Sequence, residues 1–336
     1  MGGKKEVSVL DLAFVAEGSG VQESFHRSLD LARHTEQSGY KRFWLAEHHN
    51  MESVGSSATS VLIGYVAQGT EKIRVGSGGV MLPNHSSLII AEQFGTLETL
   101  YPHRIDLGVG RAPGTDGITA MAIGRNPMTI NETFPQQIKE LQLYFSAENK
   151  NGKVRAMPGE GLDIPIYILG SSTDSAWLAA ENGLPYAFAG HFAPAHMQHA
   201  FKIYRDNYQP SEKFPEPYTI AGINVIAADT SEKANLLATS LFQAFRNILS
   251  NDRKPLQPPV KDFEKQLSPA EAAAMNNMLS LTFIGNRNDL LKQLNEFFEV
   301  YKADEIIAVS HIYDHQDRLN SYSILKDVID EINKSE

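Results

Sequence analysis

The sequence predicts a single α/β domain over residues 1–336, folded as a parallel (β/α)8 TIM barrel. Short, nearly continuous apolar runs alternate with amphipathic stretches of helical period, which is typical of a parallel sheet covered by helices. Eight such runs occur, and eight strand–helix units favour a closed barrel over an open doubly wound sheet. A chain of 336 residues is long enough for one enlarged barrel.

The predicted elements follow one another in strict order. Each strand is a run of four to eight residues dominated by apolar side chains, and Gly39 and Gly183 follow two helices as C-terminal capping glycines do. The strands are predicted at 8–15, 42–46, 73–77, 105–109, 166–169, 186–189, 220–227 and 305–310. The helices are predicted at 24–38, 57–70, 87–100, 134–145, 173–182, 194–207, 231–249, 288–301 and 318–333.

One segment departs from this alternation. Residues 250–285 begin with a stretch rich in Pro, Lys and Asp, and Ser268 opens a short helix within them. We interpret the segment as an insertion between the seventh and eighth strands. Insertions of this kind lie on the surface and often cover a site.

Composition argues against several classes of function. The formal charge is −10 and no basic stripe is present, so we expect no nucleic-acid partner. No apolar run approaches the roughly 20 residues that span a bilayer, so we expect no membrane partner. The chain has no cysteine and a short polar N-terminus, which together predict a cytoplasmic location.

The chemically active residues follow the strands, and in a parallel barrel these strand ends meet at one mouth. His48 and His49 follow the second strand. Because consecutive side chains of a strand point to opposite faces, at most one of the two imidazoles should enter the mouth, and the other should be structural. Gly76–Gly79 lets the backbone approach a flat group, or alternatively forms a barrel bulge.

The turn after the fifth strand is a candidate phosphate site. Gly170, Ser171 and Ser172 precede a helix, whose first N–H groups and dipole attract anions. Arg111, after the neighbouring strand, can add a bidentate guanidinium. The alternative is ordinary helix capping by the serines, with Arg111 in a surface ion pair.

Two further motifs are weaker. Gly108, Gly110 and Gly114 suggest a dinucleotide fingerprint, but their spacing is wrong by one residue. Imidazoles after the strands could ligate a metal, but the carboxylates expected of a hard metal site are missing. The histidines concerned are His48, His191, His311 and His315. We predict no metal.

Several motifs in order resemble the bacterial luciferase-like flavin-dependent monooxygenases, and the likeness covers nearly the whole chain. These motifs are Trp44-Leu-Ala-Glu-His-His49, Val75-Gly-Ser-Gly-Gly-Val-Met-Leu-Pro83, Gly108-Val-Gly-Arg-Ala-Pro-Gly-Thr-Asp116, Leu169-Gly-Ser-Ser172 with Ser175-Ala-Trp177, and Ser310-His-Ile-Tyr-Asp314. The chain looks most similar to single-chain relatives of luciferase.

The resemblance implies an FMN-binding barrel, often a homodimer, with His48 as the catalytic imidazole and a cis peptide at Gly78-Gly79. The cofactor-binding residues that it implies are Gly78, Gly79, Met81, Arg111, Gly170, Ser171 and Ser172. The chain departs from luciferase in carrying Gly110 in place of a cysteine and Gly170 in place of an acidic residue. A second phosphate arginine has no clear match, and Arg125 is only nearby.

The resulting hypothesis is an enzyme that oxidises a small organic substrate with reduced FMN and O2 through a flavin C4a-peroxide. Apolar residues would keep water from that intermediate. The candidates are Phe14, Trp44, Met81 and Phe192, although core packing explains Phe14 and Trp44 equally well. Because no dinucleotide motif is present, a separate NAD(P)H:flavin reductase is expected. The alternatives are an F420-dependent oxidoreductase, a non-catalytic flavin-binding protein and a metal-dependent hydrolase.

Overall fold

The computed structural model describes residues 3–124, 130–250, 252 and 254–335, with the backbone alone at 130–132. Within these residues the chain forms nine strands. They are β1 (Glu6–Asp11), β2 (Arg42–Leu45), β3 (Arg74–Met81), β4 (Ile105–Gly110), β5 (Ile166–Gly170), β6 (Tyr186–Phe188), β7 (Thr219–Ala227), β8 (Thr282–Gly285) and β9 (Glu305–Val309).

Eleven α-helices alternate with the strands in the described residues. They are α1 (Val21–Gln37), α2 (Thr59–Gln68), α3 (Ser87–Leu100), α4 (Gly117–Ala122), α5 (Ile130–Phe145), α6 (Thr173–Glu181), α7 (Met197–Asn207), α8 (Ser231–Leu249), α9 (Pro269–Met278), α10 (Arg287–Tyr301) and α11 (His315–Ser335). Gly39 and Gly183 have positive φ just beyond α1 and α6, as their capping role predicts.

Eight of the strands close into a parallel barrel, which confirms the predicted fold. The strands follow the order β1 to β7 and then β9, which pairs with β1. Strand β8 stands outside this ring and pairs with the upper half of β7, Asn224 facing Thr282. The helices cover the outer face, where the largest apolar cluster is buried.

The predicted strands differ from the observed ones in three places. The first strand was predicted at 8–15, but β1 ends at Asp11, and beyond it Phe14 forms only an isolated bridge with Val54. The prediction ended the third strand at Ser77, but β3 continues to Met81 through a register shift between Ser77 and Val80. The two glycines within that shift suggested a turn, whereas they form an irregular part of the strand. Strand β8 was missed because it is four residues long and begins only a short turn after α9.

The segment predicted as an insertion, 250–285, carries both α9 and β8. Helix α9 begins where the sequence predicts, with Ser268 and Glu271 forming a reciprocal capping box. Leu256 of the same segment exchanges backbone hydrogen bonds with Val15 and Glu17 after β1. The segment therefore reaches the residues that follow the first strand.

A buried ionic cluster fills the lower end of the barrel. Arg42 Nη1 lies 2.8 Å from Asp106 Oδ2, and its Nε lies 2.9 Å from Glu305 Oε1. Arg74 Nη2 approaches the second oxygen of Asp106 at 2.7 Å. The two carboxylates are fully buried, so their charges depend on these guanidinium partners.

An apolar layer lies above this cluster inside the barrel. Leu10, Trp44, Tyr167, Ile220 and Ile307 belong to one buried cluster. On β2 and β9, a residue of this layer lies two positions after a charged residue of the cluster below, as Trp44 does after Arg42. Since side chains alternate between the two faces of a strand, both point inward.

Among the described residues, no helix combines the length and the apolar character needed to cross a bilayer.

Replacing Asp106 by Asn should destabilise the chain by about 3–5 kcal/mol, because the buried Arg42 would keep only Glu305 as a counterion and the partly buried Arg74 would lose its carboxylate partner. Urea unfolding measures the change. Lys202→Ala, which breaks an exposed pair with Asp206, is the control and should change stability by less than about 1 kcal/mol. Equal losses in the two variants would contradict a supporting role for the buried cluster.

Candidate active site

His48 and His49 take opposite sides of the chain at the end of β2. His48 continues the inward series of Arg42, Trp44 and Ala46, the last two of which lie in the interior cluster. His49 points outward, where its Nε2 lies 2.9 Å from Glu47 Oε1. The structure thus separates the two imidazoles as the alternation predicts, with His48 at the mouth and His49 in a structural contact.

The His48 imidazole donates a hydrogen bond to the backbone carbonyl of Gly114. This bond and the charge of Glu47 favour the protonated form, but burial has the larger effect and lowers the pKa of His48. The imidazole is therefore neutral near pH 7. One ring nitrogen is held as a donor, and the other can accept a proton.

Glu47 connects two loops at the mouth. Its carboxylate is buried and receives the backbone N–H of Met81 at 2.9 Å. His85 Nε2 and His49 Nε2 each lie 2.9 Å from Oε1, and Asn84 Nδ2 lies 3.2 Å from the same atom. One side chain therefore ties the end of β2 to the end of β3.

Burial alone would raise the pKa of Glu47, but hydrogen bonds from His85, His49 and the Met81 backbone outweigh it and lower the pKa. The carboxylate is ionised at neutral pH. A charged acceptor strengthens the bonds that hold these loops.

The Gly78-Gly79 peptide is cis, as the resemblance implies. A Cβ on Gly78 would lie 2.7 Å from Leu10 Cδ1, and one on Gly79 would lie 2.7 Å from the Gly108 carbonyl oxygen. Both glycines are therefore required by packing against neighbouring strands. The register shift of β3 spans these residues, which confirms the bulge alternative, whereas close approach to a flat group stays a prediction.

The loop after β4 folds back onto the end of β2. Gly114 adopts a positive φ of 65°, and a Cβ there would lie 2.6 Å from the Glu47 carbonyl oxygen. Its carbonyl accepts the His49 N–H at 3.1 Å, and the Thr115 hydroxyl donates to the His49 carbonyl at 2.9 Å. Gly114 is therefore required by loop packing, and this accounts for the glycine without a dinucleotide fingerprint.

The turn after β5 leads into α6 through Ser172, the N-cap residue. Its side chain makes no capping hydrogen bond, so ordinary capping by this serine is not what the structure shows. Ser171 and Ser172 are both partly exposed. Gly170 is required locally, because a Cβ there would lie 2.1 Å from Ser175 Oγ. The first turn of α6 therefore presents its N–H groups without side-chain capping by Ser172.

Arg111 reaches this same helix start from the loop after β4. Its Nη2 lies 3.8 Å from the Asp174 carboxylate in the first turn of α6, and both side chains are exposed. The surface ion pair is present, and it also brings the guanidinium to the candidate phosphate turn. Arg125 lies outside the described residues.

Two more imidazoles lie at the mouth, on strands that come after β5 around the barrel. His191 follows β6 and His311 follows β9, in the inward series of Glu305, Ile307 and Val309. Burial lowers the pKa of each to about 3, assisted at His191 by the charge of His48 and at His311 by those of His191 and Arg318. Both rings are neutral near pH 7.

The four predicted apolar wall residues have different positions. Trp44 is buried in the interior, where its Nε1 donates to Asp106 at 3.0 Å, so it belongs to the core. Phe14 is partly exposed and packs on His311, with ring centroids 4.2 Å apart. Phe192 is 45% exposed beside His191. Met81 is partly exposed beside Gly110.

Other parts of the described chain offer less chemistry. No group of three or more His, Asp or Glu side chains among these residues is arranged to hold a metal. A groove of about 470 Å³ lies between α7 and α10, lined by residues such as Lys202, Arg205 and Lys302. It lies near the N-terminal ends of β7 and β9, at the opposite end of the barrel from His48.

The order of these motifs is that of one family. The model of the family described as luciferase-like monooxygenase matches residues 6–301. The chain belongs to the luciferase-like monooxygenase family. It is 54% identical to the uncharacterised protein YvbT of Bacillus subtilis (strain 168), with 96% of each chain covered. It is 48% identical to a luciferase-like monooxygenase of Escherichia coli (strain K12), with 97% of each covered.

A more distant relative has a named reaction. The N-acetyl-S-alkylcysteine monooxygenase of Bacillus subtilis (strain 168) is 30% identical to the chain described here, with 96% of this chain and 98% of the relative covered. The similarity supports the classification of the chain as an oxidoreductase of the monooxygenase type.

Solved structures share the fold. The apo form of MsnO8 superposes with a TM-score of 0.89 at 31% identity, covering 97% of this chain and 98% of the other. The oxygenating constituent of 3,6-diketocamphane monooxygenase in complex with FMN superposes with a TM-score of 0.73 at 16% sequence identity, with 97% of each chain covered. An F420-dependent secondary alcohol dehydrogenase superposes with a TM-score of 0.70 at 14% sequence identity, covering 97% of this chain and 98% of the other.

Sequence reasoning gave no role to Glu47 and considered His191 and His311 only as possible metal ligands. The signal for His311 was its spacing, six residues after the inward Glu305. For Glu47 the signal was a carboxylate at an outward, buried position, which requires several donors.

His311→Gln should make stability less sensitive to acid. Unfolding restores the His311 pKa from about 3 to roughly 6.5, so its neutral form stabilises the fold fully above pH 6.5, and this is lost as pH falls towards 3. Glutamine does not titrate. Between pH 7 and 5, the variant should lose about 1–2 kcal/mol less than the parent, as urea unfolding at both pH values measures.

The matched control is His199→Gln, an exposed histidine of α7. It should keep the acid sensitivity of the parent chain. If His311→Gln also kept it, the neutral, buried state of His311 would be refuted.

Proposed function

We propose that the chain is an FMN-dependent monooxygenase that uses reduced flavin and O2 to oxidise a small organic substrate. The observation that carries the proposal is the convergence of His48, Arg111 and the α6 N-terminus on one barrel mouth beside the Gly78-Gly79 peptide. These elements come from four different strand ends. Their arrangement supports an anion-binding turn at one edge, formed by Arg111 and the start of α6, and a neutral imidazole at another.

The residues fit an FMN phosphate and ring. Arg111 and the first N–H groups of α6 would hold the phosphate, with Ser171 and Ser172 adding hydroxyl donors. Gly78, Gly79 and Gly170 add no Cβ beside the ring and the phosphate turn, and Met81 would contact the ring. When bound in its reduced form, FMN supplies the electrons that activate O2.

Each side chain at the mouth then has a defined task. His48 is neutral and holds one ring nitrogen ready to accept a proton from the reacting group. Glu47 keeps the His48 loop and the end of β3 in register through its bonds to Met81 and His85. Phe14 and Phe192 exclude water from the mouth.

The source of reduced flavin is a separate proposal. The described chain has no dinucleotide fingerprint, which supports supply by an NAD(P)H:flavin reductase. F420 is the alternative cofactor, because the barrel is shared with an F420-dependent enzyme. The homodimer and the cytoplasmic location stay predictions.

His48→Ala should still bind FMN but lose turnover by about 10²–10⁴-fold, because it removes the proton acceptor and leaves the phosphate turn intact. The assay supplies reduced FMN from a reductase and follows product from aldehydes, ketones and thioethers, the last because a relative acts on an S-alkyl compound. His103→Asn, at an 89% exposed side chain, should retain full activity. Normal product formation by His48→Ala would remove His48 from the mechanism.

Arg111→Ala should weaken FMN binding about 10- to 100-fold and leave riboflavin binding unchanged, because riboflavin lacks the phosphate. Flavin fluorescence measures both affinities. Arg155→Ala is the control, since Arg155 is equally exposed (41%) and also paired with a carboxylate. Equal loss for the two flavins would contradict a phosphate role for Arg111. Binding of F420 without FMN would support the alternative cofactor.

A further inference from the structure

Three adjacent strands bring two imidazoles to one side of the mouth, which begins next to the turn after β5 and extends to the strand opposite β4. Strand β7 lies between β6 and β9, so His191 and His311 flank it on either side. Asn224 of β7 donates from Nδ2 to the His191 carbonyl at 2.6 Å and fixes the loop that carries this ring. The His191 ring lies against Gly222, where a Cβ would be 2.8 Å from Nδ1.

Both rings have a buried nitrogen without a partner. Nδ1 of His191 and Nδ1 of His311 are inaccessible to solvent and make no hydrogen bond within the described chain. A buried N–H without an acceptor is rarer than a buried lone pair without a donor. The proton of each neutral ring therefore belongs on Nε2, and each ring offers one N–H donor.

Aromatic side chains surround His311. The rings of Phe14 and Phe245 lie 4.2 and 6.0 Å from it, measured between centroids. Phe192 lies 4.8 Å from the His191 ring. A ligand at these donors would meet hydrocarbon on its remaining surface.

Among the described residues, the charged groups that act on these two rings include no unpaired cation for an anion. Burial keeps both imidazoles uncharged near neutral pH. Arg318, whose charge acts on His311, is buried and paired with Asp11 at 2.7 Å. A carboxylate or phosphate at this position would lose its hydration without gaining a counterion.

We propose that His191 and His311 bind the organic substrate through a neutral acceptor oxygen, such as a carbonyl, by donating from Nε2, while Phe14 and Phe245 contact its hydrocarbon part. The inference deepens the proposed function, because it names the substrate class for the same mouth. It assigns the anionic phosphate to the Arg111 side and the neutral substrate to the imidazole side.

The test uses 2-octanone and octanoate, which share a chain length and differ in charge. Histidine side-chain ¹⁵N resonances of the wild-type chain, with and without FMN, are followed during titration at pH 7.5 and assigned with the variants below. We expect 2-octanone to shift Nε2 of both His191 and His311, and octanoate to bind at least about tenfold more weakly. Equal binding of octanoate, or no shift of either Nε2 with 2-octanone, would overturn the proposal.

Variants test the contacts individually. His191→Leu and His311→Leu should each weaken 2-octanone binding about tenfold and leave FMN affinity within twofold, whereas His199→Gln should change neither. Unchanged ketone binding in both leucine variants would also refute the proposal. Should a leucine variant fail to fold, the wild-type ¹⁵N shifts decide the question. FMN binding without a ketone response refutes this inference alone, whereas a ketone response without FMN binding refutes the proposed cofactor alone.

Discussion

The ion pairs of Arg42 with Asp106 and Glu305 determine which face of each strand looks into the barrel. A buried charge is costly unless it is paired, so β2, β4 and β9 are held with these side chains directed into the barrel, where they pair. Because side chains alternate along a strand, every second residue after these also points into the barrel. His48 stands six residues after Arg42, and His311 stands six residues after Glu305. The mouth is thus specified from the opposite end of the barrel.

A second buried charge acts on the outer side of the same strands. Glu47 faces away from the interior and gathers donors from His49, His85 and the Met81 backbone. Because Glu47 immediately precedes His48 in the chain, any shift of the Glu47 backbone moves His48 as well. The interior ion pairs define which side chains of β2 face the interior, and the bonds of Glu47 define where the end of β2 lies relative to β3. Together they position the imidazole without any contact to its reactive nitrogen.

The repeated strand–helix pattern was sufficient to predict the barrel, because eight apolar runs and their helices each carry a local signal. Strand β8 has no such signal, since its four residues depend on pairing with β7. The Gly78-Gly79 pair was ambiguous for a related reason: glycine marks turns and close approaches alike, and only the contacts with Leu10 and Gly108 distinguish them. Alternation separated His48 from His49, whereas assigning Glu47 required knowledge of which loops meet around it.

The two halves of the mouth differ in electrostatic character, and the difference follows from side-chain burial. Arg111 is exposed and keeps its charge at the start of α6, where the helix dipole adds to it. His191 and His311 lie among aromatic rings, and burial removes their charge. An anionic group and a neutral group would therefore bind at different parts of the mouth, each through its own hydrogen-bond donors. His48 follows β2, which lies between β9 and β4 around the ring, so the proposed proton acceptor would stand between the two proposed ligands.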